Sequence, residues 1–115
     1  ISNSIDNMSE GNTDQVLNTE VDVKLGDFEV TEGDYGLTNT KLTVTVTNKT
    51  NETKSFNIQI EAVDENGNRI NQDYIYANNL TAGQSQNFDL FQYVSSEQID
   101  AMKNATFNIV EASSY

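Results

Sequence analysis

Two stretches near the middle of the chain alternate strictly between apolar and polar residues, from 41 to 47 and from 55 to 62. A period of two is typical of a β-strand with one buried and one solvated face. We therefore predict two strands, joined by the polar segment 48–53, that either pair with each other or lie as neighbours in a sandwich. The apolar positions are Leu42, Val44 and Val46 in the first stretch and Phe56, Ile58, Ile60 and Ala62 in the second.

Shorter runs of the same kind predict four further strands, at about 21–30, 69–76, 85–91 and 105–110. In the first of these, the apolar phase shifts at Gly26, which predicts a β-bulge. The Asn66-Gly67 pair favours a type I′ hairpin turn ahead of the second run. Gly83, ahead of the third, is predicted to adopt a positive φ.

One short helix is predicted between the last two strands. Ser95 and Gln98 have the spacing of a capping box, and Val94 and Ile99 have that of a hydrophobic staple. Such a short helix is not stable alone, so we expect it to cap one end of the strands. The inventory predicts an all-β fold, an immunoglobulin-like antiparallel β-sandwich with one short helix, over residues 20–115.

The first nineteen residues show no sustained hydrophobic period and are dominated by Asn, Ser, Thr, Asp and Gly. This composition predicts a disordered N-terminal tether over residues 1–19. Such a tether is either a stalk between an anchor and the domain or simply a flexible end.

Charge and composition narrow the classes of partner. The net charge of -12, from 18 acidic and 6 basic residues, argues against nucleic acid and against a basic membrane-docking surface. The chain has no Cys and no His, which removes disulfides, thiolate metal sites and the commonest general base. No apolar run is long enough to insert into a membrane. We expect a monomer without cofactor or metal.

The middle of the chain resembles a known family. The resemblance is carried by three segments, VTVTN, FNIQIEAVDENGNRI and NNLTAGQSQNF, within residues 41–90. They are similar to FxLYD-type and related Ig-like domains of surface lipoproteins of Gram-positive bacteria. The chain departs from the pattern in two places, because Ala62-Val63 replaces Leu-Tyr and Ala82 replaces the Pro before the turn glycine. The resemblance implies a secreted, envelope-tethered module without enzymatic activity, and it carries over no functional residues.

Four tyrosines are the candidate ligand surface: Tyr35, Tyr74, Tyr76 and Tyr93. Tyrosine combines a large apolar area with a polar tip, which suits the recognition of glycans and proteins. The alternative is that the strand tyrosines are half-buried parts of the core.

The acidic residues offer three weaker candidates. Asp64, Glu65, Asn66 and Asn68 could ligate Ca²⁺, but their glycine spacing does not match an EF-hand and favours a plain turn. A second set (Asp27, Glu29, Glu32 and Asp34) could bind a cation or a basic partner, or form a solvated surface. A third set (Asp89, Glu97 and Asp100) could pair for glycoside hydrolysis, although a chain with 18 acids brings some carboxylates together by chance. We therefore expect no catalytic residues.

Together these features predict a non-catalytic, extracellular Ig-like module of a bacterial surface protein or lipoprotein. It would bind a protein or glycan at the cell envelope, through strand edges and loops, or act as a spacer. The alternative hypothesis is a carbohydrate-binding module that uses the surface tyrosines.

Overall fold

The computed structural model describes residues 13–33 and 38–115. Its first helix, α1, covers residues 13–19. The remaining elements are β1 (Val21–Glu32), β2 (Thr38–Asn48), β3 (Lys54–Val63), β4 (Arg69–Leu80), β5 (Ser85–Leu90), α2 (Ser96–Lys103) and β6 (Thr106–Ser114).

The strands form two antiparallel sheets of three strands each. Sheet A has the order β1-β2-β5, and sheet B has the order β4-β3-β6. This arrangement corresponds to strands A-B-E and C′-C-F of an immunoglobulin-like sandwich, so the predicted fold class is confirmed. The strands β2 and β3 lie in different sheets, which decides between the two arrangements expected from their alternation.

The core lies between the inner faces of the two sheets. Every apolar position of the two alternating stretches is buried, from Leu42 on β2 to Ala62 on β3. Strand β4 contributes Ile75 and Ala77, and Met102 of α2 is also fully buried. Two period-2 strands thus supply the central residues of opposite sheets, and the flanking elements complete the core.

The bulge predicted in β1 is present, because the register with β2 shifts between Leu25 and Phe28. A Cβ atom on Gly26 would lie 2.8 Å from the backbone oxygen of Thr43, which is closer than real contacts allow. The glycine is therefore required by the close approach of the two backbones.

The β3–β4 turn differs from the predicted type I′. Gly67 has a φ of 82°, but Asn66 is not among the described residues with positive φ. The N–H of Gly67 donates to the Asp64 carbonyl, and the N–H of Asp64 donates to the Asn68 carbonyl. This is a three-residue loop in which a turn is followed by a glycine in the left-handed region. The predicted positive φ of Gly83 is confirmed at 75°.

The helix α1 contradicts part of the expected tether. Residues 13–19 are helical, and Val16 is only 7% exposed within the core. The Nζ of Lys49 donates to the carbonyls of Leu17 and Asn18, so the last turn of α1 is held by the β2–β3 loop. The prediction of disorder is therefore wrong for residues 13–19, and residues 1–12 lie outside the described residues.

The predicted helix between the last two strands is present as α2, with Ser95 at its N-cap position. The capping box is wrong, because the Ser95 side chain makes no capping hydrogen bond. The Nε2 of Gln98 instead donates to the carbonyl of Ile70 in β4. The Gln98 side chain thus bonds to sheet B and not to the start of its own helix.

Candidate functional site

The outer face of sheet B is an array of side chains in three rows. The β3 row contains Asn57, Gln59 and Glu61, which are half-buried. In the β4 row, Tyr76 pairs with Asn57, Tyr74 with Gln59 and Gln72 with Glu61. In the β6 row, Ser113 pairs with Asn57, Glu111 with Gln59 and Asn108 with Glu61. We call this array the tyrosine face.

Tyr74 and Tyr76 are the prominent side chains of the tyrosine face. They are 44% and 61% exposed, which resolves the question of core or surface in favour of the surface. Their rings are nearly parallel, with an interplanar angle of 13° and centroids 6.4 Å apart. The alternation along β4 explains this arrangement, because residues two apart project from the same face of a strand.

A groove runs over β3 beside the two tyrosines. It has a volume of about 220 Å³ and is lined by the tyrosines on the β4 side and by Glu111 and Ser113 on the β6 side. Asn57 and Gln59 lie on the strand between these walls. The groove therefore combines aromatic rings, amides, a hydroxyl and one carboxylate.

Hydrogen bonds order the amides of the groove without using all their polar atoms. The Nε2 of Gln59 donates to Oε1 of Gln72 over 2.8 Å. The hydroxyl of Tyr115 donates to Oδ1 of Asn57 over 3.1 Å, which brings a third exposed tyrosine to this face. The Nδ2 of Asn57 and the Oε1 of Gln59 make no hydrogen bond to another described residue, so a donor and an acceptor stay available.

A β-bulge in β6 places Glu111 in the groove. The register with β3 shifts between Ile60, which pairs with Ile109, and Gln59, which pairs with Glu111. Val110 is the extra residue, and it is 42% exposed. The bulge turns Glu111 outward, where an uninterrupted alternation would have pointed it to the core.

The predicted strand ended at residue 110, so Glu111, Ser113 and Tyr115 were missed as site residues. The change of phase from Ile109 to Ala112 was the available signal, but no glycine marks it as Gly26 marks the bulge in β1.

The edge strands of sheet B are partly blocked. On β4, the N–H of Gln72 donates to Oδ1 of Asn71, and the N–H of Tyr74 donates to Oδ1 of Asp73. These side chains occupy backbone donors that an incoming strand would need. The sequence predicts strand edges as a binding surface. On β4 the edge has these donors occupied, so the outer face of the sheet is more accessible to a ligand than the edge.

The edge of β6 is covered by α1. The N–H of Ala112 donates to Oγ1 of Thr13, although the bond is long at 3.4 Å. The side chain of Glu20, after α1, accepts a hydrogen bond from Oγ of Ser114. A helix against an edge strand is a common way to prevent further pairing.

The other predicted tyrosines do not join Tyr74 and Tyr76. Tyr93 is 85% exposed and lines a separate depression with Thr31, Asn39 and Lys41. Tyr35 lies outside the described residues. The structure therefore brings together two of the four predicted ligand residues and adds Tyr115.

The acidic candidates occupy separate places. The Oδ1 of Asp64 accepts the N–H groups of Asn66 and Asn68, so this carboxylate organises its own turn. Asp89 accepts the Thr43 hydroxyl on sheet A, whereas Glu97 and Asp100 both lie on α2. No group of three or more acidic residues within 13–33 and 38–115 could hold a metal ion. Asp34, from the cluster near β1, lies outside these ranges.

Among the described residues, the helices lack the length and the apolar character of a membrane-spanning segment. Comparisons with family models, with curated proteins and with solved structures found no match to this chain. The similarity to FxLYD-type domains therefore stays a prediction.

Proposed function

We propose that this domain is a non-catalytic binding module whose ligand surface is the tyrosine face. The observation that carries the proposal is the pair of exposed, nearly parallel rings of Tyr74 and Tyr76 beside the groove over β3. Tyrosine is among the residues that contribute most binding energy at interfaces, because it brings a large rigid area at low entropic cost.

The outer face of the other sheet supports this role for the tyrosines by contrast. Sheet A presents a contrasting outer face, on which Thr43, Thr45 and Thr47 each form a hydrogen bond with a side chain of β5. Those hydroxyls already have partners, and that face carries no exposed aromatic ring among the described residues. The two faces differ in the way expected if one of them binds a ligand.

The proposal includes an extracellular, envelope-tethered location. Its support is the similarity of residues 41–90 to modules of Gram-positive surface lipoproteins. In that setting, the domain would bind an envelope component and so do more than act as a spacer.

The experiment is co-sedimentation of the purified domain with the insoluble cell envelope of the organism that encodes it. Four proteins are compared: the wild type, Tyr74→Ala, Tyr76→Ala and Tyr93→Ala. Tyr93 is the matched control, because it is the same residue type, is more exposed and lies away from the tyrosine face.

We expect the wild type and Tyr93→Ala to sediment equally, and each of the other two variants to bind at least about tenfold more weakly. Circular dichroism would check that all four are folded. Equal sedimentation of all four proteins, or no sedimentation of the wild type, would contradict the proposal.

A further inference from the structure

Resting on the proposed function, we infer that the ligand of the tyrosine face is a neutral, linear glycan that lies along β3. The groove runs over this strand, between the tyrosines of β4 and the Glu111–Ser113 segment of β6. Three features of the groove carry the inference: its polar atoms, its charge and its size.

The polar and aromatic atoms of the groove are those that a sugar requires. Sugar hydroxyls both donate and accept hydrogen bonds, and the groove offers Nδ2 of Asn57 as donor and Oε1 of Gln59 as acceptor. The C–H faces of a sugar ring carry a partial positive charge that suits the negative face of an aromatic ring. Tyr74 and Tyr76 place two such rings beside the amides.

The charge of the groove favours a neutral ligand. None of its lining residues is Lys or Arg, and Glu111 adds a carboxylate that repels acidic polysaccharides. The nearby carboxylate of Glu61 already has a partner, because its Oε2 lies 2.9 Å from Nε of Arg69. A single carboxylate without an ion-pair partner among the described residues provides little attraction for a polybasic peptide, whereas sugar hydroxyls can donate to it without carrying a charge.

The size of the groove favours part of a chain over a whole small molecule. Its volume of about 220 Å³ is below that of typical small-molecule pockets, which is roughly 300–1,000 Å³. Its two walls stand on β4 and β6, two strand spacings apart, which is about 10 Å. A single extended chain fits between such walls.

The experiment is native affinity electrophoresis in gels that contain soluble polysaccharides. The neutral probes are β-1,3/1,4-glucan, dextran, mannan and arabinoxylan, and the acidic probes are polygalacturonate and heparin. A fluorescent polylysine peptide, followed by anisotropy, is the basic probe. Each probe is tested with the wild type, Tyr76→Ala, Glu111→Gln and Tyr93→Ala.

We expect retardation by at least one neutral polysaccharide, at least about tenfold weaker in Tyr76→Ala and unchanged in Tyr93→Ala. Glu111→Gln should weaken this binding less than Tyr76→Ala does, because the amide still accepts hydrogen bonds from sugar hydroxyls, and it should reduce any binding of polylysine, because the carboxylate charge is lost. Binding of polylysine that requires both Tyr76 and Glu111, without binding of neutral glycans, would overturn the ligand class and leave the proposed function standing. No dependence on Tyr76 with any probe, including the envelope fraction, would overturn both.

Discussion

The side chain of Asn48, at the end of β2, donates from Nδ2 to the carbonyl of Leu80, at the end of β4, over 2.9 Å. The bond joins sheet A to sheet B at one end of the sandwich. Asn48 is fully buried, and its Nδ2 also donates to the Glu52 carbonyl while its Oδ1 accepts the N–H of Thr50. The Asn48 amide thus satisfies backbone groups at two places, in the β2–β3 loop and at the end of β4.

We expect Asn48→Ala to lower the free energy of unfolding by about 2–3 kcal/mol. The variant loses several buried hydrogen bonds and leaves the Leu80 carbonyl without its donor, and each such loss costs roughly 1 kcal/mol or more. Urea unfolding measures the change, with Asn51→Ala in the same loop as the exposed control. Equal stability of the two variants would contradict the role given to Asn48.

Gly26 provides a second test, because its requirement arises from contact and not from φ. In Gly26→Ala, the new Cβ would lie 2.8 Å from the Thr43 oxygen, so β1 and β2 would have to separate. We expect a loss of about 1–3 kcal/mol, as for other overpacked sites. The control is Asp27→Ala at the neighbouring exposed position. Thermal unfolding of both variants would show a lower midpoint for Gly26→Ala alone.

Ile60 lies at the centre of the core and has no exposed surface. Ile60→Ala should cost about 2–5 kcal/mol, from lost burial and the cavity left behind. Val110→Ala is the comparison on β6, because Val110 is 42% exposed at the bulge and should change stability by less than about 1 kcal/mol. Guanidinium unfolding would separate the two, and a similar loss in both would contradict the assignment of inner and outer faces.

The strands were predictable from the sequence because their pattern is local. Each inward position of β2 and β3 follows from a period of two, and Gly26 revealed the bulge in β1. The details of the β3–β4 turn were not predictable from the Asn-Gly pair. They depend on the Asp64 carboxylate, which accepts two backbone N–H groups and so favours a different loop.

The candidate site was only partly predictable. Tyr74 and Tyr76 could be placed on one face because they lie two apart on one strand. Their groove also requires Glu111 and Ser113, which reach it only through the pairing of β6 with β3. Such pairing joins residues about fifty positions apart, and no local pattern encodes it.

The same limit applies to α1, which sequence composition assigned to a tether. Its helical stability depends on distant parts of the chain, because Val16 is buried in the core cluster and Lys49 donates to its last carbonyls. The segment after it is held by an ion pair, in which the Nζ of Lys54 lies 2.8 Å from Oε1 of Glu20. A short polar helix of this kind forms only when the rest of the domain has folded around it.

The Glu20–Lys54 ion pair predicts a pH dependence of stability. The hydrogen bond from Lys54 lowers the pKa of Glu20 below its ordinary value of 4.5, outweighing desolvation, and the bond from Ser114 assists. A lowered folded-state pKa stabilises the protein above the ordinary value, and this contribution is lost as the pH falls through the folded-state pKa.

We therefore expect the wild type to be more stable than Glu20→Gln at pH 7, and the difference to shrink when the pH is lowered from 7 to 3. Urea unfolding of both proteins at several pH values measures it. The control is Glu29→Gln, whose carboxylate lies 4.0 Å from Lys41 with both side chains exposed. This surface pair should change stability little at either pH. A Glu20→Gln difference that stays constant, or grows, as the pH falls would show that the Glu20–Lys54 ion pair does not stabilise the folded domain.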